Sequence, residues 1–189
     1  MVSSRTKTIK GSCLCAAIRF TITLPIDWQP ESTGTCQCTQ CRRFTGALVP
    51  QNIVIPTEYV EPSFDSQPSY KTYQSGPKSY RGFCSTCGSS LTFRDTKGQL
   101  WIHLGSFDEE NLVGRKVGEV YETKWGKIRE WDASGSFGKE LAKAKDHVWV
   151  ENAVPRVTDV MAGKKYMNGR EGVEGFEGGL MEPWKEVKQ

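Results

Sequence analysis

The seven cysteines of this 189-residue chain fall into three tight clusters, Cys13-x-Cys15, Cys36-x-Cys38-x-x-Cys41 and Cys84-x-x-Cys87, and none stands alone. Two cysteines separated by one or two residues can reach one ion from a single turn, and zinc takes thiolates at about 2.3 Å in a tetrahedron. The layout is that of a metal protein. Seven sulfurs cannot fill two closed four-ligand sites, so the count favours one complete site and one with a vacancy. A disulfide framework fits less well, because an odd count strands one sulfur. The first ten residues hold no apolar leader, and no stretch approaches the ~20 apolar residues of a membrane span. The expected setting is therefore cytoplasmic and reducing, where clustered thiols go to metal.

Phe83-Cys84-Ser85-Thr86-Cys87-Gly88 has the form of a zinc knuckle, with a glycine after the second cysteine to tolerate positive φ. One knuckle supplies two ligands and needs a partner pair. Cys13 and Cys15 are the expected partners, because Cys36, Cys38 and Cys41 already form a compact tripod that can hold a metal alone. A competing partition pairs the knuckle with two sulfurs of the tripod. A closed four-cysteine site is structural, whereas three protein ligands and one exchangeable position is the pattern of catalytic zinc. Three thiolates would make that zinc electron-rich, poor at activating water and better at holding a substrate thiolate. The alternative is a second structural zinc closed by another side chain.

Histidines His103 and His147 both lie in strand-like sequence and read as satisfied or surface residues rather than ligands. Arg42 and Arg43 follow the tripod directly, and a guanidinium fork there could hold the carboxylate of an anionic substrate. Lys71, Tyr73, Lys78, Tyr80 and Arg81 read as one exposed strand face. No serine nucleophile elbow, phosphate-cradling glycine loop or metalloprotease helix is present.

The rest of the chain reads as predominantly β. Ile18, Phe20 and Ile22 alternate on one face of a strand, and Ala47 to Ile55, Ser79 to Phe83, Ser90 to Arg94 and Leu100 to Phe107 are further candidates. Proline and glycine breakers limit helix to short pieces such as Asp108 to Asn111 and Lys139 to Lys145. One domain over 8–160 is expected. Beyond it, 161–189 is a glycine-rich tail, flexible or arm-like, with Phe176, Leu180, Met181 and Trp184 available to dock on the domain or on a second subunit as a homo-oligomer. The net charge of +3 comes from scattered residues without a long basic run, so no nucleic-acid partner is expected.

Gly11-Ser12-Cys13-Leu14-Cys15, Cys36-Gln37-Cys38-Thr39-Gln40-Cys41-Arg42 and Phe83-Cys84-Ser85-Thr86-Cys87-Gly88-Ser89-Ser90-Leu91, in this order, resemble the glutathione-dependent formaldehyde-activating enzyme family, which includes centromere protein V. The resemblance spans about residues 8 to 150. It implies a β-tent fold of stacked antiparallel sheets, two zinc ions per chain, a structural one shared by the first and third clusters, and a second at the middle cluster. There glutathione and formaldehyde would join as S-hydroxymethylglutathione, the chemistry of a carbon-sulfur lyase. Two positions depart from the family pattern. Gln37 stands where histidine is usual between the first two cysteines of the middle cluster, and Ala16 where glycine is common. The expected function is a zinc-dependent lyase acting on a thiol adduct of formaldehyde or another small electrophile. The alternatives are a tailoring enzyme for a larger reactive metabolite and a non-catalytic zinc-stabilised interaction module.

Overall fold

The structure, a computed structural model, describes residues 6–134 and 136–180. Its strands and helices follow in order β1 (Thr6–Ser12), β2 (Arg19–Pro25), β3 (Thr33–Cys36), α1 (Thr39–Thr45), β4 (Gln51–Val54), β5 (Val60–Glu61), β6 (Tyr70–Gly76), β7 (Ser79–Cys84), β8 (Ser90–Arg94), β9 (Leu100–His103), α2 (Glu109–Leu112), β10 (Arg115–Thr123), β11 (Gly126–Asp132), α3 (Gly138–Ala142), β12 (Asp146–Val148) and β13 (Lys164–Lys165). The fold is mainly β. An eight-stranded sheet runs β13-β12-β3-β4-β9-β8-β7-β6, a three-stranded sheet runs β1-β2-β5, and β10-β11 form a separate hairpin. Pairing is antiparallel except where β12 lies parallel to β3 and β13.

Alternation builds the core. Along β2 the side chains Phe20, Ile22 and Leu24 turn inward with Ile18 and Ile9, and they share one core with Ile53, Leu91 and Ile102 of the large sheet and with Ile55 just beyond β4. Phe20 packs between Phe64 and Phe107, with ring centroids 4.9 and 6.0 Å away. Gly11 makes this approach possible, since a Cβ there would lie 2.3 Å from Phe20 Cζ and 2.5 Å from Ser106 O. The small sheet is thereby pressed against the large one beside the first cysteine cluster.

Several elements differ from the sequence expectation. The segment expected as a strand from Leu100 to Phe107 ends at His103 and turns through a 3-10 helix, Leu104–Ser106, while the strand expected over Ala47 to Ile55 is confined to β4. Helix α1 was not foreseen. The glycine-rich segment is tied back as far as residue 180: Tyr166 and Trp149 backbone N–H groups bond to His147 O and Asn168 O at 2.8 and 2.9 Å, and the Leu180 N–H donates to Asp159 Oδ2 at 2.9 Å. Phe176 forms a bridge with Lys165. Met181 and Trp184 lie outside the described residues.

Candidate metal centres and the cavity beside them

The turns that leave β1 and β7 meet at the first and third clusters. The Ala16 N–H donates to Cys13 O at 3.0 Å, closing a turn that presents Cys13 and Cys15 on one side, and Ala16 takes φ 59 to do so. In the knuckle the Gly88 N–H donates to Cys84 O at 2.8 Å, with φ 76 at the glycine. The sulfurs of Cys13, Cys15, Cys84 and Cys87 all lie within 4.8 Å of one another. Thiolates at 2.3 Å from a tetrahedral ion would stand about 3.8 Å apart. The observed Cys13–Cys15 and Cys15–Cys84 separations are 3.6 and 3.9 Å, so the donor set fits such an ion. Ser89 Oγ receives the Leu14 N–H at 3.0 Å and lies 3.2 Å from Cys87 Sγ. Its hydrogen bond to the sulfur holds the Cys87 thiol down to about 5. Against a lowering hydrogen bond from Ala17, burial and the neighbouring sulfurs push Cys15 up to about 11. Four sulfurs this close cannot all ionise unaided, and a divalent cation removes the conflict.

The middle cluster is local. Cys36 ends β3, Cys38 caps α1 by accepting the Cys41 N–H on its sulfur at 3.3 Å, and Gly46 closes the helix with φ 69. The i, i+3 spacing sets Cys38 and Cys41 on one side of the helix. All three sulfurs lie within 4.8 Å of one another, and among the described residues no histidine, carboxylate or further cysteine joins them at that range. Hydrogen bonding from Cys36, then from Cys41, drives Cys38 far below the usual thiol range, while bonds with Cys38, then with Cys41, push Cys36 up.

The residues flanking the tripod divide sharply in their surroundings. Arg42 spends its guanidinium inside the protein, donating from Nε to Leu48 O at 2.8 Å, from Nη1 to Asn152 O at 2.7 Å and from Nη2 to Gln37 Oε1 at 2.8 Å. Arg43 is exposed, and it makes no hydrogen bond or salt bridge among the described residues. Gln37 is fully buried, and its amide also donates to Thr158 O at 2.9 Å and accepts from the Thr158 hydroxyl at 2.7 Å. Gln37 is thus a lock between the tripod loop, Arg42 and the chain at residue 158. His147 is satisfied at both nitrogens by Thr35 Oγ1 and Ala162 O, each at 2.8 Å.

Two groups beside the tripod depart from the sequence expectation, which takes Arg81 as part of an exposed face and His103 as a satisfied or surface residue. Arg81 is 4% exposed and donates from Nη1 to Cys41 Sγ at 3.5 Å and from Nη2 to Gln40 Oε1 at 3.2 Å. The expectation of one exposed face from Lys71 to Arg81 fails here, because adjacent strand residues face opposite sides: Tyr80 is exposed and Arg81 is buried. His103 donates from Nδ1 to Asn52 Oδ1, while its Nε2 is buried with no hydrogen-bond partner among the described residues. Burial, then the charge of Arg81, lowers the His103 pKa to about 4. Cys36, Cys41 and His103 share the lining of a cavity of about 150 Å³, walled by Phe93, Trp101 and Trp149.

The profile of the family described as glutathione-dependent formaldehyde-activating enzyme matches residues 8–124. The chain belongs to this family. All seven cysteines fall inside the matched segment. Among curated proteins none matches significantly. Among solved structures, the crystal structure of a Rhodobacter sphaeroides protein is similar at 20% identity and a TM-score of 0.40, over 53% of this chain and 88% of that one. The family points to an enzyme of glutathione and formaldehyde chemistry, and the cysteine clusters are of a kind that could hold its metal. None of the helices in the described residues is long and apolar enough to cross a membrane.

Proposed function

We propose that this chain is a two-zinc carbon-sulfur lyase acting on the glutathione adduct of formaldehyde or another small aldehyde. The observation that carries this reading is the three-sulfur cluster, which has no fourth protein ligand among the described residues and adjoins a cavity. Zinc held by Cys36, Cys38 and Cys41 would keep an incoming thiol ionised at neutral pH. Cys13, Cys15, Cys84 and Cys87 hold the structural ion. In the joining direction the thiolate sulfur adds to the carbonyl carbon, the C=O π pair moves to oxygen, and that oxygen takes a proton; cleavage runs in reverse.

The chain's own residues supply the rest. His103 offers its bare Nε2 as acceptor for the adduct hydroxyl, with its orientation fixed by Asn52. About 150 Å³ corresponds to roughly five water molecules' share of liquid volume, so the cavity takes the reacting end of an adduct and leaves most of a tripeptide outside. Of the two arginines expected to bind a substrate carboxylate, Arg42 is committed to the protein, and Arg43 is the one left for that role. The test is formation of the hemithioacetal from glutathione and formaldehyde with zinc present and after its removal from the middle cluster. Loss of turnover supports the reading; unchanged turnover contradicts it.

A larger electrophile is the second reading. It is favoured by Trp149 and Arg170, which lie beyond the matched segment yet line the same cavity. Native mass spectrometry separates the two, because the first predicts a glutathione-sized bound species.

A further inference from the structure

We propose that Arg81 is the buried counter-ion of the Cys36/Cys38/Cys41 centre, and that its hydrogen bond to Cys41 controls how electron-rich that centre is. This builds on the reading above that a divalent ion sits there. A guanidinium stays charged at any ordinary pH, and burying it without an opposite charge is heavily penalised. Arg81 is 4% exposed, yet none of the salt bridges among the described residues includes it. Its polar partners are the neutral Gln40 amide oxygen and the Cys41 sulfur. The rings of Phe93 and Phe44 lie 4.9 and 5.5 Å from its Cζ. The anion that answers Arg81 is therefore the thiolate cluster.

The register makes this arrangement. Arg81 on β7 pairs with Phe93 on β8, so the flanking ring is fixed by the sheet, while Phe44 and Gln40 come with the same short helix that carries Cys41. Three thiolates and a divalent ion sum to −1, and Arg81 brings the buried group to neutrality. An N–H···S hydrogen bond also withdraws electron density from the sulfur. The ion would then accept a fourth ligand more readily than three unassisted thiolates allow, which offsets the electron-rich character expected of the ligand count. Arg81 acts through Cys41 and is a positioning residue.

The test compares Arg81→Met, Arg81→Lys and Gln40→Ala with the parent, each loaded with cobalt for spectroscopy and with zinc for alkylation by iodoacetamide. In Arg81→Met the sulfur-to-cobalt charge-transfer bands should move to lower energy, and alkylation mapped to Cys41 should rise roughly tenfold, the scale of a lost charge-assisted hydrogen bond. Arg81→Lys, which keeps the charge, should recover most of both, and Gln40→Ala should show a smaller shift in the same direction. Unchanged bands and alkylation rates in a folded, metal-loaded Arg81→Met protein would overturn the proposal. Where that variant does not fold, Gln40→Ala decides by the same two readouts. Failure of the functional reading looks different: the parent's cobalt spectrum would then ignore glutathione, whatever Arg81 does.

Discussion

The two candidate metal centres use the same ligand type and are assembled by opposite means. Cys15 and Cys84 touch across 69 residues of chain, so the first centre joins the small sheet to the knuckle of the large one. The middle centre is held within six residues, by the end of β3 and the first turn of α1. A metal that closes a long loop contributes to folding, whereas one held by a local loop closes little chain, and with three sulfurs it keeps a fourth position for an exchangeable ligand. The surroundings agree. Neutral groups such as Ser89 and backbone N–H donors support the first cluster, while a buried cation, an aromatic cavity and a half-satisfied histidine surround the second.

The largest expected effect tests this division directly. Structural zinc supplies ~10–16 kcal/mol in small metal-folded peptides against ~5–15 kcal/mol of net domain stability. Cys84→Ser, at a fully buried position, should abolish the cooperative thermal transition. Cys38→Ser should fold, hold one zinc fewer by metal analysis, and lose activity by ~100-fold or more. Equal loss of fold from both would erase the distinction.

A smaller effect is expected of the lock on the tripod. Gln37→Ala leaves the Arg42 fork and the Thr158 hydroxyl without their shared acceptor and opens a void. It should cost about 2–4 kcal/mol in urea unfolding while leaving the zinc count unchanged. Arg43→Ala, at an exposed position, should not move stability and so separates packing at Gln37 from substrate binding at the helix beside it.

The pH dependence sharpens the contrast at His103. Its folded pKa of about 4 lies below the ordinary 6.5, so the unfolded chain binds the proton first as pH falls. Stability from the neutral ring is complete above about 6.5 and is lost on the way down to about 4, roughly 2 kcal/mol by pH 5. Comparing the parent with His103→Gln at pH 7 and pH 5 isolates that contribution from proton competition at the sulfurs, which both proteins share. An identical decline in both would remove His103 from the account.

How much of this could be read from the chain follows from where each signal lies. The cysteine clusters were legible because their spacing is itself the geometry of a metal turn, β2 because its side chains alternate against the core, and β7 and β8 because they are rich in β-branched or aromatic residues. Helix α1 was hidden because its cap is a cysteine sulfur, not one of the residues that usually mark a helix start. The β10-β11 hairpin was hidden because both of its faces are largely exposed, which erases the alternation. The role of Arg81 depends on a contact 40 residues away in sequence, and no local pattern carries such information.

The smallest expected effect concerns the first cluster alone. Ala16 holds φ 59, a left-handed conformation that costs an L-residue ~1–2 kcal/mol, partly offset by the greater freedom glycine has when unfolded. Ala16→Gly should therefore stabilise the protein by about 0.5–1 kcal/mol in denaturant titration, without altering activity.

The central claim is that one centre is closed and the other accepts a substrate thiol. It is tested most directly by metal stoichiometry together with the absorption spectrum of the cobalt-substituted protein during titration with glutathione. The account predicts two ions per chain, with the bands of one centre shifting as glutathione is added and those of the other unmoved. A single ion, or two whose spectra both ignore glutathione, would contradict it.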